Sequence, residues 1–260
     1  MAITRSDFFR FERWPHMFCP GCGLGTIMNA LYFAVSELNI DLDKLVMVGG
    51  IGCTGRIPGY LNIDSMHVTH GRAIPVAVGI KLANPELEVI AIGGDGDIAG
   101  IGGNHLIHAA RRNIDIKVIQ VTNFNYALTG GQLAPTTPMG AVTTTTPEGN
   151  PEYYFDTAHL VAAAGANYVA RYSTHDPKGL INGFKKMFEH RGFVFIEVIS
   201  QCPVNFGRRN KMRNVLDLLK WMREHSTFSK EKYEKILNEK GLAFMLGEIV
   251  KRNRDPLPKR

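Results

Sequence analysis

Short apolar segments with the pattern of buried strands alternate along the chain with segments whose apolar residues recur at helical spacing. Such alternation is typical of the α/β class, a mostly parallel sheet with helices on both faces. The predicted helices cover residues 25–36, 73–82, 104–112, 157–164 and 177–189. The predicted strands cover residues 45–48, 88–92, 116–121, 168–170 and 193–198. Residues 129–150, rich in Thr, Pro and Gly, form a loop of a length that is either functional or disordered.

After residue 210 the pattern is helical, and no strand is predicted there. We therefore divide the chain into a main α/β domain, residues 1–210, and a helical C-terminal arm, residues 211–260. The chain has a net charge of +6, and residues 208–260 hold 15 Lys/Arg against 7 Asp/Glu. A basic arm of this kind is equally compatible with binding to an acidic protein, contact with a partner subunit and exposure to solvent.

The composition, 45% hydrophobic and 21% charged, is that of a soluble globular protein. No apolar run reaches the length of a transmembrane helix, and residues 1–13 are unlike a signal peptide. We therefore expect a cytoplasmic protein that does not insert into a membrane. The basic residues are not interleaved with aromatic side chains that would stack on bases, so nucleic-acid binding is not expected either.

A Gly-Asp-Gly-Asp run at residues 94–97 directly follows one predicted strand. Parallel α/β sheets bind ligands at this end of their strands, and glycine lets the backbone approach a phosphate closely. Read through Ala99, the run mimics a dinucleotide fingerprint, but its two aspartates would repel a pyrophosphate unless a cation lay between them. Mg²⁺ binds carboxylate oxygens and is commonly shared between a carboxylate and substrate phosphates. Asn123, after the next strand, offers an amide oxygen as a further ligand. A magnesium–diphosphate site is therefore predicted, with an ordinary turn as the alternative.

The chain has four cysteines, Cys19, Cys22, Cys53 and Cys202. In a reducing compartment they suit metal ligands or buried thiols better than disulfides. Thiolates without a histidine among them suit an iron–sulfur cluster or structural zinc. Structural zinc usually draws on two closely spaced pairs of cysteines, whereas only Cys19 and Cys22 form such a pair here. An iron–sulfur cluster assembled by the fold is favoured, with zinc and unrelated buried thiols as alternatives.

These features together resemble the β subunit of the 2-oxoacid:ferredoxin oxidoreductases, and most of all its 2-oxoglutarate branch. The matching stretches, in chain order, are CPGCG at 19–23, GIGCTGRIP at 50–58, HGRA at 70–73, GDGD at 94–97, GNH at 103–105, AARRNID at 109–115 and TGGQ at 129–132. They lie within residues 15–210, whereas the segment after residue 210 matches weakly. The resemblance implies a thiamin-diphosphate-binding fold.

The resemblance also implies three bound groups: a [4Fe–4S] cluster, Mg²⁺ and thiamin diphosphate. The cluster would be ligated by Cys19, Cys22, Cys53 and Cys202. Mg²⁺ would be bound by the side chains of Asp95 and Asn123 and by the main-chain carbonyl of Asn125. Thiamin diphosphate would be lined by Gly52, Cys53, Thr54, His70, Gly96, Asp97, Ala127 and Leu128. Many thiamin enzymes have two adjacent asparagines here, whereas in this chain Phe124 separates them.

The activity implied by the resemblance is the reversible, coenzyme A-dependent oxidative decarboxylation of 2-oxoglutarate to succinyl-CoA and CO₂. Electrons would pass through the cluster to ferredoxin. The glutamate expected beside the aminopyrimidine ring has no matching motif in this chain, so an α subunit is expected to supply it, with γ and δ subunits as common further partners. Arg56 either pairs with a substrate carboxylate, since its guanidinium matches that geometry, or is an ordinary surface residue.

Three alternative functions remain open at this point. The nearest is a β subunit that acts on pyruvate or on a broad range of 2-oxoacids. The second is a non-catalytic electron-transfer module that holds a cluster and a vestigial thiamin site. The third is a nucleic-acid-binding protein with structural zinc.

Overall fold

The computed structural model describes residues 3–258 of the chain. The α-helices are α1 (Arg5–Phe8), α2 (Leu24–Glu37), α3 (Ala73–Ala83), α4 (Gly103–Arg111), α5 (Thr157–Ala164), α6 (Pro177–Glu189), α7 (Val215–Glu224) and α8 (Lys230–Lys240). The strands are β1 (Leu45–Gly49), β2 (Asp64–His67), β3 (Glu88–Gly94), β4 (Lys117–Thr122), β5 (Tyr168–Ser173), β6 (Val194–Ile199), β7 (Ser226–Thr227), β8 (Phe244–Met245) and β9 (Gly247–Lys251). Short 3₁₀ segments lie at Phe11–Arg13, Leu42–Lys44 and Thr54–Tyr60, and π-helical turns at Gly96–Ile101 and Pro203–Gly207. None of the helices in this range is long and apolar enough to cross a membrane.

Seven strands form one sheet in the order β2-β1-β3-β4-β6-β5-β9. All neighbouring strands are parallel except β5 and β9. Every residue of β1, β4, β5 and β6 is buried, as expected for parallel strands covered on both faces. Helices α2 and α6 pack on one face, and α3, α4 and α5 pack on the other. The predicted α/β class with a mostly parallel sheet is therefore confirmed.

All five predicted helices and all five predicted strands are present, and α5 and α6 have the predicted bounds. Strand β5 continues to Ser173, past its predicted end at residue 170, because the charge of Arg171 is paired inside the protein. Strand β2 was not predicted. It is a short edge strand with mostly exposed side chains, so it lacks the apolar pattern of a buried strand.

The expectation that the segment after residue 210 has no strands is wrong. Strands β7 and β8 pair with each other, and β9 joins the main sheet antiparallel to β5. Strand β9 is five residues long and partly exposed at the sheet edge, so its pattern resembles a loop as much as a strand. The end of this segment is therefore part of the main sheet.

A buried ion-pair network lies where β4, β5 and β6 run side by side. Arg171 and Glu197 are both fully buried, and Nε of the arginine lies 2.7 Å from Oε2 of the glutamate. Arg171 also pairs with Asp156 at 2.5 Å. The other glutamate oxygen accepts hydrogen bonds from Thr122 (2.7 Å) and Tyr154 (3.2 Å). Because Thr122 ends β4, the network supports the strand end that leads into the predicted magnesium loop.

We expect Glu197→Gln to lower the free energy of unfolding by about 3–5 kcal/mol, because the fully buried Arg171 would lose its buried carboxylate partner and keep only Asp156. Urea denaturation followed by circular dichroism measures this loss. The matched control is Glu248→Gln, whose exposed carboxylate lies 3.1 Å from Lys186. The control substitution should lower the free energy of unfolding by less than about 1 kcal/mol, because exposed ion pairs contribute little to stability. Equal losses in the two variants would show that the buried pair has no special role.

Candidate active site

The carboxyl ends of β1, β3 and β4 open onto one cavity of about 70 Å³, at the edge where parallel sheets bind their ligands. We call it the diphosphate cavity. All eight residues that the resemblance assigned to thiamin diphosphate line it, and so do the three assigned to Mg²⁺. The remaining lining residues are Ile51, Gly94, Tyr126 and Thr129. The fold thus brings together residues from four separate parts of the sequence.

Asp95, directly after β3, is held by three hydrogen-bond donors. Its Oδ1 accepts from the N–H of Gly96 (3.0 Å), and its Oδ2 accepts from the N–H of Phe124 (2.8 Å) and from the hydroxyl of Thr136. Burial raises the pKa of this carboxyl to about 6, because desolvation outweighs these hydrogen bonds. A divalent cation would stabilise the ionised form. The buried carboxylate therefore fits a magnesium ligand.

Two amide side chains follow in the loop after β4. Asn125 Nδ2 donates to the main-chain carbonyl of Asn123 at 2.7 Å. Asn125 Oδ1 is buried and has no hydrogen-bond partner among the described residues. Such an oxygen is unfavourable unless another group satisfies it, and a hard cation is suited to do so. The resemblance gave Asn125 a role through its main-chain carbonyl, whereas the structure shows that its side chain also shapes the loop.

Asp97 contacts two segments that border the diphosphate cavity, the loop after β1 and the segment before α3. Its Oδ1 accepts hydrogen bonds from the N–H of Ile51 (3.2 Å) and of Gly71 (2.8 Å), and it lies 2.5 Å from Nδ1 of His70. Because a carboxylate accepts, Nδ1 is the protonated nitrogen of that ring and Nε2 is left as its other polar atom. A Cβ at Gly50 would collide with the Asp97 carboxylate, so this position requires glycine.

Sequence reasoning missed two residues of this site. Thr136 donates to Asp95, and Tyr126 lines the cavity while its hydroxyl donates to the carbonyl of Gly96 at 3.2 Å. Thr136 belongs to the long loop at residues 129–150, and its neighbour Thr137 donates to the carbonyl of Phe124 at 2.7 Å. The length of that loop was the one signal in the sequence that pointed to a functional role.

Phe124 adopts a left-handed backbone conformation, with φ 68°. Such a conformation costs a non-glycine residue on the order of 1–3 kcal/mol, so the surroundings must enforce it. Its ring is buried, with ring centroids 5.1 Å from Phe206, 5.5 Å from Trp221 and 5.8 Å from Phe244. We call these four residues the aromatic cluster. Since Trp221 and Phe244 belong to the C-terminal segment, that segment supports the turn between the two asparagines.

All four cysteines line a second cavity, of about 220 Å³, which we call the thiol cavity. Burial, together with repulsion from the neighbouring thiolates, raises the pKa of Cys22 to about 12 and that of Cys53 to about 11. Thiolates at Cys22 and Cys53 therefore need a cationic centre to remain ionised, since a coordinating thiol is deprotonated by its metal. The thiol and diphosphate cavities share four residues, Cys53, Asn123, Ala127 and Leu128.

Within residues 3–258, no three His, Cys, Asp or Glu side chains converge closely enough to hold a single metal ion. The four thiols nevertheless surround one cavity. Four cysteines without a histidine among them suit a cluster of iron and sulfide or a structural zinc ion.

Arg56 does not line either of these cavities. Its side chain is exposed and lines a separate pocket together with Arg10, Arg13 and His67. The reason is its place in the 3₁₀ segment Thr54–Tyr60. That segment turns Thr54 towards the diphosphate cavity, whereas Arg56 lies on the pocket side.

Residues 50–198 match the family model described as thiamine pyrophosphate enzyme, C-terminal TPP binding domain. The matched range contains every residue of the diphosphate cavity. Of the four cysteines it contains only Cys53. The fold is therefore that of the thiamin-diphosphate-binding enzymes.

Comparison with individual proteins narrows this class. The chain is 49% identical over 245 residues to the 2-oxoglutarate synthase subunit KorB of Methanothermobacter thermautotrophicus, covering 94% of this chain and 86% of that protein. It is 44% identical over 187 residues to the 2-oxoacid:ferredoxin oxidoreductase subunit beta of Saccharolobus solfataricus, covering 71% of this chain and 61% of that protein.

A solved structure resembles the whole described fold. It is a 2-oxoglutarate:ferredoxin oxidoreductase from Magnetococcus marinus with 2-oxoglutarate, coenzyme A and succinyl-CoA bound. The match has a TM-score of 0.84 at 32% identity and covers 98% of this chain and 89% of that chain. The chain belongs to the family of 2-oxoglutarate:ferredoxin oxidoreductase β subunits, a family of oxidoreductases.

We expect Phe124→Ala to destabilise the protein by about 3–5 kcal/mol, because it empties the centre of the aromatic cluster. It should also weaken the Mg²⁺-dependent binding of thiamin diphosphate, since the turn that positions Asp95 would lose its support. Thermal unfolding and titration calorimetry measure the two effects. Phe33→Ala, which removes an exposed ring on α2 (38% exposed), is the control and should change neither quantity appreciably. Normal cofactor binding by the Phe124 variant would show that the aromatic cluster does not support the diphosphate cavity.

Proposed function

We propose that this chain and an α subunit together catalyse the reversible, coenzyme A-dependent oxidative decarboxylation of 2-oxoglutarate to succinyl-CoA and CO₂. Two electrons pass through a [4Fe–4S] cluster to ferredoxin. The observation that carries the proposal is the wall shared by the thiol and diphosphate cavities. This wall makes the two sites direct neighbours. The ligands named for the Magnetococcus enzyme support 2-oxoglutarate as the substrate and coenzyme A as the acyl acceptor.

The residues of the diphosphate cavity divide the binding task. The side chains of Asp95 and Asn123, with the main-chain carbonyl of Asn125, bind Mg²⁺. The backbone at Gly52 and Gly96 leaves room for a diphosphate to approach closely. When bound, thiamin diphosphate supplies the electron sink for decarboxylation. Asp97 holds His70 in one tautomer beside the cofactor, while the thiolates of the four cysteines hold the cluster.

The active site is completed by the α subunit. No glutamate lines the diphosphate cavity of the described chain, and thiamin chemistry requires one beside the aminopyrimidine ring. The cavity also encloses only about 70 Å³, whereas ligand pockets usually enclose roughly 300–1,000 Å³. Both observations support a site that is closed by a second subunit. Further γ and δ subunits and ferredoxin complete the assembly, which we place in the cytoplasm because all four cysteines are unpaired.

A broader substrate range is the second candidate function. The relative from Saccharolobus solfataricus is named for 2-oxoacids in general rather than for 2-oxoglutarate. Since Arg56 lies outside the diphosphate cavity, this chain offers no arginine there for the second carboxylate of 2-oxoglutarate. Relative turnover of pyruvate, 2-oxoglutarate and branched 2-oxoacids by the reconstituted complex decides between the two.

We expect the chain purified without oxygen to contain four irons and four sulfides and to absorb broadly in the visible range. Cys202→Ser should lower the iron and sulfide content and the absorption, because a buried ligand to one iron is lost. Met17→Leu, a change in the same cavity that removes no predicted ligand, should retain the full content. Full iron content in the Cys202 variant, or zinc in place of iron in the wild type, would contradict the assignment.

We expect the isolated chain to bind thiamin diphosphate weakly and to form no succinyl-CoA, since the required glutamate lies on the α subunit. Addition of the α subunit should restore turnover with 2-oxoglutarate, coenzyme A and a ferredoxin. Asp95→Asn in the reconstituted complex should raise the concentration of Mg²⁺ needed for half-maximal activity. Succinyl-CoA formed by the isolated chain would refute the division of the active site between subunits.

A further inference from the structure

Four exposed basic residues follow the last cysteine of the thiol cavity and have no role in the site described so far. They are Arg208, Arg209, Lys211 and Arg213. Residues 203–216 contain these four Lys/Arg and no Asp or Glu. Within residues 3–258, none of the four forms an ion pair with a carboxylate. Residues 208–213 therefore present uncompensated positive charge at the surface, and we call them the basic segment.

Hydrogen bonds anchor the basic segment to the rest of the fold. Asn210 Nδ2 donates to the carbonyls of Phe206 (2.9 Å) and Val142 (3.1 Å). Asn210 Oδ1 accepts from the N–H of Val142 at 2.8 Å, which ties the segment to the long loop at residues 129–150. The N–H of Met212 donates to the carbonyl of Gly207 at 2.8 Å. Because the backbone between the four charges is held in this way, the charges have a defined arrangement.

The basic segment begins and ends beside the thiol cavity. The residues just before it line that cavity, namely Pro203, Val204 and Asn205. Just after it, Val215 packs against the turn that carries Cys19 and Cys22, since a Cβ at Gly21 would lie only 2.3 Å from Val215 Cγ2. Two residues span at most about 7 Å, so the backbone of Arg213 lies within that distance of Val215. The positive charge is therefore placed at the edge of the thiol cavity.

Exposed apolar side chains and one exposed thiol lie at the same edge. Cys19 is exposed, whereas Cys202 is buried. Met17, which lines the thiol cavity, is 51% exposed, and Leu216, next to Val215, is 68% exposed. A few apolar side chains beside charges of one sign are typical of an interface with an apolar centre and a polar rim. The apolar area is small, and this favours a partner that binds and dissociates over a permanent subunit, whose interface would be more hydrophobic.

The charge of this surface selects an acidic partner, because complementary charges attract the two molecules before they touch. A single-stranded nucleic acid would usually also stack on exposed aromatic side chains. Phe206 is the one aromatic residue within residues 203–216, and it is buried. The position beside the exposed Cys19 further favours a partner that exchanges electrons with the thiol cavity. A small acidic iron–sulfur protein combines both properties.

We propose that the basic segment, with Met17 and Leu216, is the docking surface for the small acidic ferredoxin that accepts the electrons, and that these electrons leave on the side of Cys19. This inference rests on the proposed function, in which a cluster in the thiol cavity passes electrons to ferredoxin. The two electrons from each 2-oxoglutarate leave one at a time. Two one-electron transfers to docked ferredoxin therefore reduce the ferredoxin and return the cluster to its oxidised state.

The test uses the reconstituted complex with the α subunit, and an acidic ferredoxin that carries [4Fe–4S] clusters. At low salt, Arg208→Glu and Arg213→Glu should each raise the KM for ferredoxin about tenfold, because an attraction becomes a repulsion. Calorimetry should show ferredoxin binding weakened by a similar factor. Added salt should raise the wild-type KM more than that of the variants. Reduction of methyl viologen, a small cation that needs no acidic docking partner, should match the wild type. Arg112→Glu is the control, because it reverses an exposed charge at the opposite end of the sheet, before β4.

Three results would overturn the inference. The KM for ferredoxin and its binding stay constant in both variants; or the Arg112 variant loses as much, which makes the effect one of net charge alone; or the variants no longer associate with the α or another subunit in size-exclusion chromatography, which makes the basic segment a permanent subunit contact. A wild-type complex that reduces neither acceptor with 2-oxoglutarate and coenzyme A would instead refute the proposed function. Ferredoxin binding measured by calorimetry would still test the docking surface in that case.

Discussion

The carboxylate of Asp97 is the contact on which the geometry of the site depends. One of its oxygens accepts from Ile51 in the loop after β1 and from His70 and Gly71 in the segment before α3. Together with the turn that carries Asp97 itself, three loops are thereby held at fixed positions around the diphosphate cavity. Cys53 lies two residues beyond Ile51, so the same carboxylate also constrains a residue shared with the thiol cavity. Fixing the first cavity thus fixes one side of the second.

A second constraint reaches the site from the opposite direction, through Phe124. Its N–H must point to Asp95, and this requires a backbone conformation that a phenylalanine does not favour. Packing of its ring against Trp221 and Phe244 compensates for that cost. The C-terminal segment is therefore not an appendage to the fold. It stabilises the turn that brings the predicted magnesium ligands together, and its last strand is part of the main sheet.

Periodicity predicted the sheet and its main helices, and the glycine-rich strand end pointed to Asp95 and Asn123, because these features leave local signals. The other residues of the diphosphate cavity were assigned through the resemblance to the oxidoreductase family. The strands that were not predicted leave only weak local signals in the sequence. Strand β2 is exposed, and β9 is short and lies at an edge, so neither has a distinctive pattern. The roles of Thr136 and Phe124 depend on contacts between distant segments, which no local pattern encodes. The orientation of Arg56 was open for the same reason, since the turn that directs it away from the cavity forms only in the fold.

The thiol cavity is likewise built from residues that are distant in the sequence. Its cysteines come from the turn before α2, from the loop after β1 and from the segment after β6, so it is the folded sheet that brings them together. Burial raises the pKa of Cys22 to about 12 and that of Cys53 to about 11, so their thiolates are disfavoured without a cationic partner. Binding of a metal centre by these two thiols would therefore release protons, which makes its affinity dependent on pH.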